Sequence, residues 1–265
     1  MTLNFGGRMC SVGALMILST SFAYSSVSFA AYYEAAGTQS VGPIGQAQLC
    51  GTSTTCVIGT ETFDALSTLT LQGDVSTFGN NGLITGTFSG TGTIDPADQY
   101  GGAGGTGNYL AVGYNKTETV TLSQGVDFFG LWFSAADATN SLSFYQAGNP
   151  TPVFTFGAAE FQALVGSCPG TAFCGNPNAN FLNANHGQQY AFLEFVSTGG
   201  SFNSITLSEG NTGTFEADNM TVGYISNPNP VGTGISTPEP SSLGLVILGA
   251  GMLWFGGLGI RRFTV

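Results

Sequence analysis

Short apolar runs, each closed by Gly, Asn or Thr turns, follow one another from Ser67 to Tyr224, and this rhythm is what most limits the fold. They are Ser67–Leu71, Leu83–Phe88, Tyr109–Tyr114, Glu118–Leu122, Val126–Phe133, Leu142–Tyr145, Val153–Phe156, Tyr190–Val196, Ile205–Leu207 and Phe215–Tyr224. Successive side chains on a strand point to opposite faces, so apolar/polar alternation marks a half-buried strand. Only Ala158–Val165 reads as helical. Many short strands with turn signals between them predict an all-β domain, a β-sandwich of jelly-roll-like type. Val126–Phe133 (VDFFGLWF) is apolar on both faces, which predicts a central strand. Trp132 within it is expected in the core, with a sugar-stacking platform as the alternative role.

Composition narrows the function classes. Charged residues make up 7% of the chain and hydrophobic ones 42%, with 21 Phe, so a disordered acidic chain is excluded. Residues 31–240 hold 15 acids against the single base Lys116, a formal charge of −14. No basic face can be built there, so nucleic acid is excluded as a partner.

The remaining cations sit at the two ends, each beside an apolar run. Arg8, the run Val12–Leu18 and the small residues of Ser28-Phe29-Ala30 read as a signal peptide over 1–30, read by Sec-type export machinery. Ser21-Phe22-Ala23 is an earlier alternative cleavage site. Residues 31–226 are long enough for one exported domain, and Asn227–Thr237 reads as a flexible linker. Beyond it stand Pro238-Glu239-Pro240, an uncharged stretch over 241–260, and Arg261-Arg262. As a helix, that stretch would span roughly 30 Å, one bilayer core. The two arginines would stay cytoplasmic.

This three-part segment resembles the PEP-CTERM sorting signal (238–265) of bacterial exosortase substrates. The resemblance implies a Gram-negative-type bacterium that makes exopolysaccharide. It also implies a transient inner-membrane anchor that an exosortase removes, leaving the protein at the cell surface or in the extracellular matrix. Residues 118–224 further resemble a family of exosortase-dependent surface proteins. Gly130, Trp132, Asp137, Asn140, Leu142, Phe144 and Tyr145 match its first motif, and Phe215, Glu216, Asp218 and Asn219 its closing strand. That resemblance implies address and fold more than chemistry.

Several motifs carry less than they promise. The Gly102–Gly107 run fits GxGxxG, but alternating residues follow it where a dinucleotide site needs a helix N-terminus. A floppy loop is expected there. His186 is the only histidine, and no GxSxG or HExxH occurs. Loss of Cys10 with the signal leaves four cysteines in two C-x5-C pairs, so disulfides Cys50–Cys56 and Cys168–Cys174 are expected in an oxidising compartment. Glu216 and Asp218 should project from one face of a strand with no protein cation to neutralise them. Calcium, which takes carboxylate and carbonyl oxygen, fits such a pair, with Asp137, Asn140 and Glu194 as co-ligands. Hydrogen-bonded turn and strand-end acids are the alternative. The expectation is a non-enzymatic surface or matrix protein. A carbohydrate-binding module for exopolysaccharide is the second reading, and a secreted polysaccharide hydrolase the third.

Overall fold

The computed structural model describes residues 27–41, 58–67, 71, 73–78, 84–224 and 235–236. Their strands are β1 Ser28–Tyr33, β2 Ile58–Glu61, β3 Val75–Phe78, β4 Ile84–Gly90, β5 Thr93–Pro96, β6 Asn108–Val112, β7 Thr117–Val126 and β8 Phe128–Ser134. After these come β9 Ser141–Tyr145, β10 Phe154–Gly157, helix α1 Ala158–Val165, β11 Ala191–Thr198, β12 Phe202–Ser208, β13 Phe215–Gly223 and β14 Ile235–Ser236.

The strands form two antiparallel sheets, as the all-β sandwich reading requires. An eight-stranded sheet runs β14-β1-β11-β8-β13-β6-β5, with β2 pairing β13 beyond the end of β6. A six-stranded sheet runs β10-β9-β12-β7-β4-β3. The chain crosses between the sheets at Asp127, whose backbone is fixed by Gly223 and Ser197. The expected strand over Val126–Phe133 is therefore split, because Val126 belongs to β7 and the six-stranded sheet, whereas Phe128–Phe133 belong to β8 and the eight-stranded one. All seven residues of β8 are buried, with β11 on one side and β13 on the other, so the central-strand reading holds.

Between the sheets lies a Phe-rich core. Phe29 stacks on Phe154 with ring centroids 4.8 Å apart, and Phe133 on Phe215 at 4.5 Å. Such offset pairs add to the burial of large apolar area. Helix α1 closes one end by burying Phe161, Leu164 and Val165. Glu160 accepts the Gly157 N–H at 3.0 Å, and a carboxylate in the first turn also favours the helix dipole. Gly166, at φ +85°, stops the helix.

Two expected boundaries move. Ser28–Ala30, assigned to the signal, form half of β1 and pair with Val196–Thr198. Phe29 is 4% exposed and sits in the core, so the domain includes residues before 31. Within the expected linker, Ile235–Ser236 pair with Ala30 and Ala31. Strands β2, β3 and β5 were not expected at all. Of the expected run Ser67–Leu71, residues 68–70 lie outside the described set, as do Cys50 and Cys56, most of the signal, most of the linker and the whole of 237–265. No helix among the described residues is long and apolar enough to cross a membrane, and the expected span over 241–260 falls outside them.

Candidate functional site

The outward face of the eight-stranded sheet is covered a second time. Phe128, Trp132, Phe192 and Val196 point away from the main core and form their own apolar layer with Tyr190, Ala135 and Val41. Trp132 is 1% exposed, 6.0 Å from the Tyr190 ring. Burial is the expected outcome for it, and no surface remains there on which a sugar could stack.

Loops seal this layer. The Gly-rich segment expected to be floppy is tied down instead. Ala103 N–H donates to Asp218 at 2.6 Å, Gly104 N–H to the Gln39 amide oxygen at 2.5 Å, and the Asn178 amide to Gly102 carbonyl at 3.1 Å. Gly102, Gly104, Gly105 and Gly107 all have positive φ, which is why glycine fills this turn. A second loop, 166–190, carries the disulfide Cys168–Cys174, whose Cα atoms are 5.7 Å apart.

Under and beside these loops lie the acids. Glu216, Asp218 and Glu194 all point outward from their strands and are all buried, so the expected shared face of Glu216 and Asp218 is present. Their surroundings differ. Asp218 anchors a bulge: besides Ala103 it accepts the Asn219 N–H at 2.6 Å, and Asn219 turns to φ +47°. There β13 exchanges β6 for β2 as its neighbour. Burial pushes the Asp218 carboxyl up to about 7 against the pull of those two N–H groups. Glu194 lies opposite Gly130 and Glu216 opposite Ser134, four residues apart on β8, so the two are separated by about 13 Å along the strand alone. Burial, then the charge of Glu34, pushes Glu194 up to about 8.

Glu216 faces a pocket of about 530 Å³ at the end of the sheet. Tyr100, Asp137, Asn185, Gln188, Thr212, Gly213 and Thr214 share its lining. Glu216 is 5% exposed, and its Oε2 is buried without a hydrogen-bond partner. Burial, and next the charge of Asp137, pushes it up to about 10. Asp137 is itself raised by burial, although the Gln188 amide donates to its Oδ1 at 2.9 Å. Asn140 faces away from this chemistry. Its Oδ1 accepts the Asp137 N–H at 2.6 Å, and its amide donates to Glu209 and to the Thr214 carbonyl.

The expected calcium set is thus not assembled. Asp137 and Glu216 share a pocket, but Glu194 is remote, Asp218 holds backbone N–H groups and Asn140 braces a turn. Among the described residues no three His, Cys, Asp or Glu side chains form a group that could hold a metal ion.

Sequence reasoning missed the residues that shape the pocket. Glu209 is buried and gathers the Thr139 hydroxyl at 2.6 Å and the Thr212 and Gly213 N–H groups, each at 3.2 Å. Gly213 passes so close to Asp137 Oδ2 that a Cβ there would collide with it. The only signal in the sequence was Glu209 beside a Gly-Asn-Thr-Gly turn. Comparison with protein-family models, curated proteins and solved structures finds no match to this chain. Fold and site therefore define the class: an all-β, two-sheet sandwich with a loop-built acidic pocket on one outer face.

Proposed function

We propose that this chain is a non-enzymatic exported protein of the cell surface or exopolysaccharide matrix, its jelly-roll-like sandwich delivered by Sec-type export and its C-terminal segment processed by an exosortase. The observation that carries the reading is the order Pro238-Glu239-Pro240, apolar span 241–260, Arg261-Arg262. A disulfide in a small loop suits an oxidising compartment and supports the same address. So does a domain with one lysine between the two terminal segments, which offers trypsin-like proteases a single site at Lys116.

Of the two signal-cleavage sites, the one after Ala23 leaves β1 whole, whereas the one after Ala30 removes Phe29 from the core. The mature protein therefore begins at Tyr24 in this reading. Intact mass and N-terminal sequencing of the exported protein test both ends. The expected species starts at Tyr24 and ends near Pro240 in cells with an exosortase, and keeps its tail when the exosortase is deleted. A tail retained in both strains would overturn the proposal.

A further inference from the structure

We propose that the pocket formed by Glu216, Asp137, Asn185, Gln188 and Tyr100 binds a sugar carrying a free primary ammonium group. The proposal goes beyond the export reading and rests on the hydrogen-bonding inventory of the pocket walls. The Gln188 amide donates both hydrogens to protein, to the Ala135 carbonyl at 3.0 Å and to Asp137 at 2.9 Å. The Asn185 amide does the same, to the Gln99 carbonyl at 2.9 Å and the Tyr190 hydroxyl at 3.1 Å. Each amide keeps only its carbonyl oxygen for a ligand. With two carboxyl groups beside them, these side chains offer acceptors, and the ligand that fits is rich in donors.

Charge selects among donors. Two acids converge in a domain with a single lysine, and Glu216, only 5% exposed, has a buried oxygen with no hydrogen-bond partner. When an ammonium group binds, the Glu216 carboxyl gives up its proton to solvent, and the ammonium supplies three donors and the compensating positive charge, in charge-assisted hydrogen bonds of the stronger kind. An anionic ligand is repelled. A bare metal ion fits less well, since no third acid, His or Cys joins the pair among the described residues and the volume of about 530 Å³ is that of a small-molecule site. Tyr100, 40% exposed at the pocket edge, offers a ring for the apolar face of a pyranose. Thr212, Thr214 and the two amides make the walls polar, which suits a sugar rather than an alkyl amine.

The test is calorimetric titration of the purified full-length exported protein with glucosamine oligosaccharides. Parallel arms use their N-acetylated forms (same ring, no charge), spermidine (charge, no ring) and calcium chloride alone, all at matched ionic strength. The amino sugar is expected to bind, with the acetylated sugar and spermidine each at least about tenfold weaker. Glu216→Gln should weaken amino-sugar binding by at least about tenfold, while Asp74→Asn, at an exposed acid, leaves it unchanged. Should Glu216→Gln fold poorly, Asp137→Asn and Tyr100→Ala serve, the second weakening sugar but not spermidine. Equal binding of free and acetylated sugar would overturn the proposal, as would spermidine matching the sugar, equal losses in Glu216→Gln and Asp74→Asn, or calcium binding that excludes the amine. Tail processing is read by mass on the same protein, so failure of one reading leaves the other distinguishable.

Discussion

The two outer faces of the sandwich follow opposite plans. On the six-stranded sheet most outward side chains are hydroxyls: Thr85 and Thr87 on β4, Thr119 and Thr121 on β7, Ser204 and Thr206 on β12, Ser141 and Ser143 on β9. They bond one another across strands, as Thr119 and Thr206 do at 2.8 Å, and otherwise face solvent. On the eight-stranded sheet the outward positions hold Trp132, Phe128 and Phe192 beside Glu194, Glu216 and Asp218, all roofed by loops. A threonine surface satisfies itself and needs no cover. An aromatic surface must be covered, and the cover traps whatever acids share the sheet face. Site chemistry lies on the second face because burial there removes the water that would make a carboxylate ordinary.

The largest expected effect breaks the symmetry between the faces outright. Trp132→Ala should cost about 3–5 kcal/mol in urea unfolding although Trp132 is an outward-facing residue, because it empties the second apolar layer. Next, Glu216→Gln should stabilise the protein at pH 8, on the order of 3 kcal/mol. Glu216 goes from an ordinary 4.5 when unfolded to about 10 when folded. The folded state thus holds a proton that the unfolded state releases, and wild-type stability falls as pH rises through that interval. At pH 4 both states are protonated and the variant should gain nothing.

Gly213→Ala comes third, with a loss of about 1–3 kcal/mol from overpacking against Asp137. Cys168→Ser should cost about 2 kcal/mol by releasing the loop that roofs the acidic face, read as a lower urea midpoint. Last, Thr121→Ala on the hydroxyl face should stay within about 0.5 kcal/mol. A Thr121→Ala loss as large as that of Trp132→Ala would erase the distinction between the faces.

The sequence made the strand-rich half of this comparison legible. Leu142 and Phe144 alternate with serines on β9, and seven buried residues in a row mark β8 as central. The helix over 158–165 was read to the residue, since its apolar run follows Gly157 and meets Gly166. Strands β2, β3 and β5 are illegible because each is only four residues long, and IGTE and TIDP also carry Gly, Asp or Pro. They are strands only because longer neighbours pair with them. For the site, two-residue periodicity placed Glu216 and Asp218 on one face. It could not show that a bulge at Asn219 would commit Asp218 to backbone N–H groups. Nor could it bring Tyr100, Asp137 and Gln188 to Glu216, since loops far apart in the chain carry no period.

The central claim is that the loops of the eight-stranded face hold its acids out of water. Carbon-13 NMR of the Glu and Asp side-chain carboxyls, followed from pH 3 to 10, tests it most directly. Glu216 should remain protonated through pH 8 and Asp218 should titrate near 7. A Glu216 carboxyl that titrates near the ordinary 4.5 would contradict the account.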